Sequence, residues 1–229
     1  MTNRRADILA ALQQAMPVVM GYIPVGFAYG VLARQSGVCL SSTILMSVIV
    51  FAGSGQLIAA SMIGAQIAPL SIVMTTFIVN LRHLLMSASL SPHLKGYSRK
   101  ELAFFTHQIV DETFAIHSLR FSEGRKSKTE TFAINIIAHS AWILGGALGA
   151  FAGDLISDVR PYGLDYALPA MFIALIVSQM KDRVHLLVAI AVGALSTAMV
   201  LGGIDQWNIV IGTVFGATLG AGIEVWNRK

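Results

Sequence analysis

From residue 35 to residue 81 the chain carries no Asp, Glu, Lys or Arg, a run of 47 residues. Ordinary soluble domains place a charge at about every fourth position, and each such side chain at the centre of a membrane helix costs about 2.5 to 3.5 kcal/mol. A run this long therefore predicts lipid surroundings. At about 20 residues per crossing it holds two helices, divided near Gln66-Ile67-Ala68-Pro69, the second continuing to about Leu90. Residues 8–33, 131–153, 184–204 and 206–223 form further runs without a charged side chain, and residues 167–180 are apolar but short, needing tilt or a thinned bilayer to cross. Only 12% of the 229 residues are charged, which leaves no stretch for a soluble catalytic domain. The expected fold is an all-α integral membrane protein, one domain over residues 1–229, built as a bundle of about eight transmembrane helices with some broken at Gly or Pro.

Residues 102–119, LAFFTHQIVDETFAIHSL, are apolar enough for a membrane yet carry His107, Asp111, Glu112 and His117. If they cross, there are eight spans, both termini are cytoplasmic, and ten Lys/Arg lie inside against five outside. If they form a re-entrant or interfacial helix, there are seven spans with the N-terminus outside and twelve basic residues inside against three. Eight is favoured, because Arg4 and Arg5 oppose translocation of the N-terminal tail. Both arrangements leave the C-terminus in the cytoplasm. Asp7, Gln13, Gln14, Pro17 and Pro24, without a small-x-small cleavage site, argue for a retained first span rather than a signal peptide. Cys39 is the single cysteine. It can form no disulfide within the chain, and no metal or cofactor is expected.

Four stretches carry the chemistry. Gly21-Tyr22-Ile23-Pro24-Val25-Gly26-Phe27-Ala28-Tyr29-Gly30 puts three glycines and a proline in the first span. It predicts a kink or an unwound turn lining a substrate path through Tyr22, Pro24, Gly26 and Phe27, or close helix packing through the Gly26/Gly30 pair. Phe51-Ala52-Gly53-Ser54-Gly55-Gln56 lies mid-run, where Gly-Ser-Gly opens the helix and exposes N–H groups to a carboxylate; a small-residue packing groove is the alternative. Arg82, in Asn80-Leu81-Arg82-His83, holds a substrate carboxylate, pairs with Asp111 or Glu112, or snorkels. Asp111 and Glu112 are adjacent acids, with His107 four residues earlier on the same helical face, a set suited to ion coupling or to an ammonium group. The glycines at 145, 146, 149 and 153, and at 212, 216 and 220, read as tight helix contacts. His139 reads as a hydrogen-bonded packing residue. A faint inverted echo links Tyr22-Ile23-Pro24-Val25-Gly26-Phe27 with Ala167-Leu168-Pro169-Ala170-Met171-Phe172.

The Gly21 to Gly30 stretch, Phe51 to Gln56, Arg82-His83, Asp111-Glu112-Thr113-Phe114-Ala115 and Leu168-Pro169-Ala170-Met171-Phe172 together resemble the large subunit of bacterial branched-chain amino acid exporters of the AzlC/YgaZ type. The resemblance implies a multi-pass protein of the bacterial inner membrane that exports leucine, isoleucine and valine, with methionine as a further candidate. It implies ion-gradient drive and a small four-helix AzlD/YgaH-like membrane subunit as partner. The family pattern has Thr before the Asp-Glu pair where this chain has Val110. The expectation is a non-enzymatic secondary transporter. The alternatives are export of another small organic metabolite, a non-transporting assembly subunit, or an intramembrane hydrolase using Ser54 with His83, His107 or His139.

Overall fold

The computed structural model describes residues 4–125, 127–156, 160–163, 166, 169–170, 173, 176–177, 180, 182–203 and 208–227. Nine α-helices are found among them: α1 Arg4–Gln35, α2 Leu40–Ile49, α3 Gly53–Gly64, α4 Pro69–Leu90, α5 Arg99–His107, α6 Asp111–Ser122, α7 Lys128–Ala152, α8 Arg183–Leu201 and α9 Asn208–Asn227. Four described helical stretches are long and apolar enough to cross a membrane: Arg4–Gln35, Pro69–Leu94, Lys128–Ala152 and Arg183–Leu201. The protein is an all-α membrane protein. The short span expected over residues 167–180, including Leu168, Met171 and Phe172 of the echo, lies largely outside the described residues.

Local chemistry sets the ends of several helices. Pro69 opens α4, where the absent N–H costs nothing. Ser98 and Glu101 close a capping box at the start of α5, and Ser127 and Asp182 cap α7 and α8. After α1, Gly37 takes φ of 84° while Val38 N–H returns to the Ala33 carbonyl at 3.0 Å, the left-handed stop that glycine makes cheap.

Helices α1 and α7 form the centre of the molecule and run parallel. Ser127 donates to Asp7 at 2.7 Å and Gln14 to Glu130 at 2.6 Å near their starts, and Arg34 pairs with Asp154 at 2.6 Å near their ends. Between these points the backbones touch. A Cβ added at Gly145 would stand 2.6 Å from the Ile23 carbonyl oxygen, and one added at Gly149 would collide with the Phe27 carbonyl. The small-residue spacing thus works as packing. α1 stays one helix through Pro17 and Pro24, so the unwound turn expected at Pro24 is absent: α7 holds this stretch along its length.

The next segments depart from the expected bundle. α2 descends from the Gln35 end of α1, the chain breaks over Val50, Phe51 and Ala52, and α3 returns to the end it left, where Gly64 packs on Ser36 and Ala60 shares a core with Val38. The first helix of the 47-residue run is therefore a hairpin of two half-helices. α4 then crosses to the Arg4 end. There residues 102–119, favoured as a crossing helix, are instead interrupted at Gln108, Ile109 and Val110. α5 runs inward and α6 runs back out beside α4, as Arg82–Asp111 at 2.7 Å and the His93–Phe121 ring contact at 5.5 Å record. Lys128, at the start of α7, reaches the Gly96 carbonyl and Glu101 at 3.0 and 2.9 Å, so the chain leaves this hairpin at the end where it began. This is the re-entrant alternative, realised twice. Ten or twelve residues at 1.5 Å each are too short to cross alone.

A crossing helix followed by a hairpin from its far end therefore occurs twice, as α1 with α2–α3 and as α4 with α5–α6, in opposite orientations. The pattern is that of an inverted repeat. Its units differ from the echo drawn in the sequence between residues 22–27 and 167–172. α8 and α9 pack together through Gly216 and Gly220 against Val192 and Val188. Only 6% of the apolar window of α8 is covered by protein, against 50% for α7, which leaves α8 facing lipid or another subunit.

Candidate functional site

The two hairpin tips meet with Phe51, Ala52, Gln108, Ile109 and Val110 buried, and side chains bond part of their polar backbone there. This is the condition under which broken helices survive at membrane depth. His107 Nε2–H donates to the Ile49 carbonyl at 2.7 Å, joining one tip to the other. His139 on α7 donates through Nε2 to the Ser47 carbonyl at 3.0 Å and accepts at Nδ1 from Gln108 at 3.3 Å. Phe51, with φ of 43°, stacks on His139 at 4.1 Å. Gln56, fully buried, accepts from Ala52 N–H at 3.2 Å and Trp142 Nε1–H at 3.0 Å and donates to Ser47 at 3.3 Å. His107 is therefore a tip fastener. It does not share a helical face with Asp111, because the break at residues 108–110 separates the two.

At this meeting point α3 and α6 both begin, so two half-helix N-termini point into one region. Gly53, Ser54 and Gly55 form the first turn of α3; the opening lies just ahead of Gly-Ser-Gly, which starts the second half-helix. Trp142 covers Gly53, and the Asn80 amide lies against Gly55, 2.8 Å from where a Cβ would stand. Arg82 donates through Nη2 to Ser54 Oγ and pairs through Nη1 with Asp111 Oδ2 at 2.7 Å. Tyr22 Oη donates to Glu112 Oε2 at 2.5 Å. Three atoms here, Arg82 Nε, Asn80 Oδ1 and His83 Nε2, are shielded from solvent without a hydrogen-bond partner among the described residues. The rings of Phe51 and Trp142 stand edge-on to Tyr22 at 6.2 and 5.4 Å.

Of the candidate residues, Tyr22, Gly53, Ser54, Gly55, Arg82, Asp111 and Glu112 thus come together, with Gln56 and His107 supporting the tips. Gly26 lies in the α1–α7 seam against Trp142 and Gly146 backbone, Phe27 presents its carbonyl to Gly149, and Pro24 is exposed. Those three do not reach the charged cluster. Ser54 has Arg82 as its hydrogen-bond partner, while His107 and His139 are spent on backbone carbonyls. Among the described residues no histidine hydrogen-bonds to Ser54.

Sequence reasoning does not single out Asn80, Trp142 or Arg120. Arg120 is 1% exposed and pairs with Glu130 at 2.6 Å, beside His117, which bonds Asn135 at 2.7 Å. The nearest signal was that Glu130 precedes an apolar run by one residue. A hollow of about 470 Å³ on α9, lined by Phe215, Thr218, Leu219, Gly222, Ile223 and Trp226, has no charged side chain among its described lining residues and shares none of them with this cluster.

The profile of the AzlC protein family matches residues 17–156, the stretch that holds α1 from Pro17 onward, α4, both hairpins and α7. The chain belongs to the AzlC family. Relatives include the branched-chain amino acid transport protein AzlC of Bacillus subtilis, 28% identical over 213 residues, 90% of this chain and 83% of the relative. An uncharacterised membrane protein of Archaeoglobus fulgidus is 31% identical over 219 residues, 95% of each chain. The inner membrane protein YgaZ of Escherichia coli is 26% identical over 222 residues, 94% of this chain and 88% of the relative. No solved structure matches the chain. In this AzlC-family protein the matched segment contains every member of the charged cluster, while α8 and α9 lie beyond it.

Proposed function

We propose that the chain is the large subunit of a secondary exporter that moves leucine, isoleucine and valine, with methionine as a further substrate, out of the cytoplasm. An ion gradient drives it, no bond of the substrate is made or broken, and a small four-helix membrane subunit of the AzlD/YgaH kind completes it. The observation that carries this is the meeting of two half-helix N-termini between opposed hairpins, one beside Ser54 and Arg82 and the other bearing Asp111 and Glu112. Such an arrangement suits a small zwitterion: positive helix ends, a guanidinium and a hydroxyl for its carboxylate, and carboxylates for its ammonium. Tyr22, Phe51 and Trp142 supply the apolar wall for an aliphatic side chain, a wall that discriminates by only about 1 to 3 kcal/mol per methylene, so overlapping substrates follow. Asp111 and Glu112 are the proposed ion-coupling groups. The name of the Bacillus subtilis relative supports the substrate class.

The charge distribution supports an inner-membrane orientation with the N-terminus in the cytoplasm. Through residue 156 the Arg4 end carries Arg4, Arg5, Lys95, Arg99, Lys100, Arg120, Arg125 and Lys128, whereas Arg34 stands at the other end. Cys39, exposed at that other end, is a native reporter. An impermeant maleimide should label it in whole cells, while a Gly124→Cys site in a Cys39→Ser background should react only after permeabilisation.

Export is tested in cells loaded with a branched-chain dipeptide. Wild type should release the freed amino acid, and Asp111→Asn and Glu112→Gln at equal expression should not. Normal export by both variants would remove the coupling role. Reconstitution with and without the small subunit then shows whether this chain contains the whole pathway.

A further inference from the structure

Arg82 ties the two hairpins together at their meeting point, through Ser54 at the start of α3 and Asp111 at the start of α6. The pair is neither deeply sealed nor free, with about a quarter of the Arg82 side chain and a fifth of that of Asp111 exposed. Around it one donor, Arg82 Nε, and one acceptor, Asn80 Oδ1, are buried without partners among the described residues. A second carboxylate, Glu112, is held in place by Tyr22 at 2.5 Å. The unfilled demand at this cluster thus includes one acceptor and one donor, on α4 residues two apart and next to a positive and a negative group, with His83 Nε2 also unpartnered. An α-amino acid carries that combination on a single carbon.

We propose that the transported amino acid binds by parting the Arg82–Asp111 pair. Its carboxylate takes Asp111's place on Arg82, reaching Nε as well as Ser54, and its ammonium takes Arg82's place on Asp111 and also meets Glu112, with Asn80 Oδ1 as a further acceptor. The ion pair is the internal stand-in for the ligand, and Asn80 is a further binding residue. In the empty state the pair keeps both charges compensated and fastens the hairpins to each other. In the bound state the ligand compensates both charges, and the direct tie between the hairpins is gone. A ligand with only one of the two charges leaves the abandoned partner, about four-fifths buried, without its counter-ion, a penalty that after screening by the exposed part amounts to about a hundredfold in affinity.

This inference rests on the transport reading, and the test separates the two. Purified full-length protein, with its small subunit if that is needed for stability, is titrated with leucine, with 4-methylpentanoate, which lacks the ammonium, and with 3-methylbutylamine, which lacks the carboxylate. Binding is read by calorimetry and by thermal unfolding. Wild type should bind leucine about a hundredfold tighter than either half-ligand, and the two half-ligands together should stabilise it where neither alone does. Asp111→Asn frees Arg82 and should gain about tenfold for 4-methylpentanoate while losing leucine. Arg82→Gln frees Asp111 and should gain similarly for 3-methylbutylamine. If wild type binds leucine but neither variant gains its half-ligand, the pair is structural and the inference is overturned. Should the variants not fold, the wild-type mixture decides: a half-ligand binding as tightly as leucine, or no synergy between the two, overturns it. If leucine neither binds nor is exported, the transport reading itself fails.

Discussion

Replacing Gly145 by Ala tests whether the α1–α7 seam sets the site's geometry. The new Cβ would stand 2.6 Å from the Ile23 carbonyl oxygen and 3.0 Å from that of Tyr22, both backbone atoms with no rotamer to change. A carbon sits comfortably about 3.3 Å or more from a carbonyl oxygen, so the helices must part by roughly 0.7 Å at this level. Overpacking of this kind costs about 1–3 kcal/mol, and the helix propensity of Ala over Gly returns at most about 1. Gly21 on α1 is the control, because a Cβ there meets nothing within 4 Å, so Gly21→Ala keeps the propensity gain without the clash. The shift would also stretch the 2.5 Å Tyr22–Glu112 bond to about 3.2 Å, beyond the roughly 3.0 Å at which an O–H···O contact is still useful. Thermal unfolding in detergent should place Gly145→Ala below both wild type and Gly21→Ala, and leucine efflux at matched expression should fall for Gly145→Ala only. If the two alanine variants unfold together, the seam is not the constraint inferred from its geometry.

Gln56→Leu removes the acceptor for Ala52 N–H and Trp142 Nε1–H and should cost about 1–3 kcal/mol for each donor left unsatisfied; Gln56→Glu keeps that acceptor and should lose less in the same unfolding assay. Val110 stands at the N-cap of α6 with no side-chain acceptor, although Thr113 Oγ1 already accepts from its N–H at 3.0 Å. Val110→Thr should complete that reciprocal pair and raise the unfolding temperature by the equivalent of up to about 1 kcal/mol. Glu101 is held down at about 2, first by the Ser98 N–H and then by Lys128. Its folded-state value lies below the unfolded one, so its contribution is fully present above about pH 4.5 and fades as pH falls toward about 2. Glu101→Gln should therefore lower stability at neutral pH, and the difference from wild type should close across that acid range in urea titrations.

Several features of the fold and the site are legible in the sequence. The division at Gln66-Ile67-Ala68-Pro69 appears where α4 begins at Pro69, because a helix start needs no N–H from its first residue and suits the fixed φ of proline. Arg82 pairs with Asp111, one of the partners its costly position required. Gly-Ser-Gly does open a second half-helix, and His139 is indeed a hydrogen-bonded packing residue. The glycine spacing on α1 is ambiguous between a path and a seam, and α7 decides for the seam, since its own Gly145, Gly146 and Gly149 allow that approach. The His107–Asp111 spacing misleads, because a four-residue interval places two side chains together only in an unbroken helix. Arg120 and Glu130 are ten residues apart across a turn and look like separate loop charges; burial, with 1% and 5% of each exposed, makes them a pair.

Composition and charge spacing alone fix that this chain lives in a bilayer as helices, because the cost of an ion in hydrocarbon is local and can be counted along the sequence. They also mark Arg82, Asp111 and Glu112 as anomalies. They cannot tell a crossing helix from a hairpin of two half-helices, since the charge-free residues 40–64 suit either and residues 102–119 are apolar enough for either despite Asp111 and Glu112. What turns residues 40–64 and 99–122 back is the supply of hydrogen-bond partners for their broken backbone: His139 and Trp142 on α7, Gln56 on α3, and His107 across the tips. A polar break is stable at membrane depth only where such partners are already packed against it, and that is a property of tertiary neighbours.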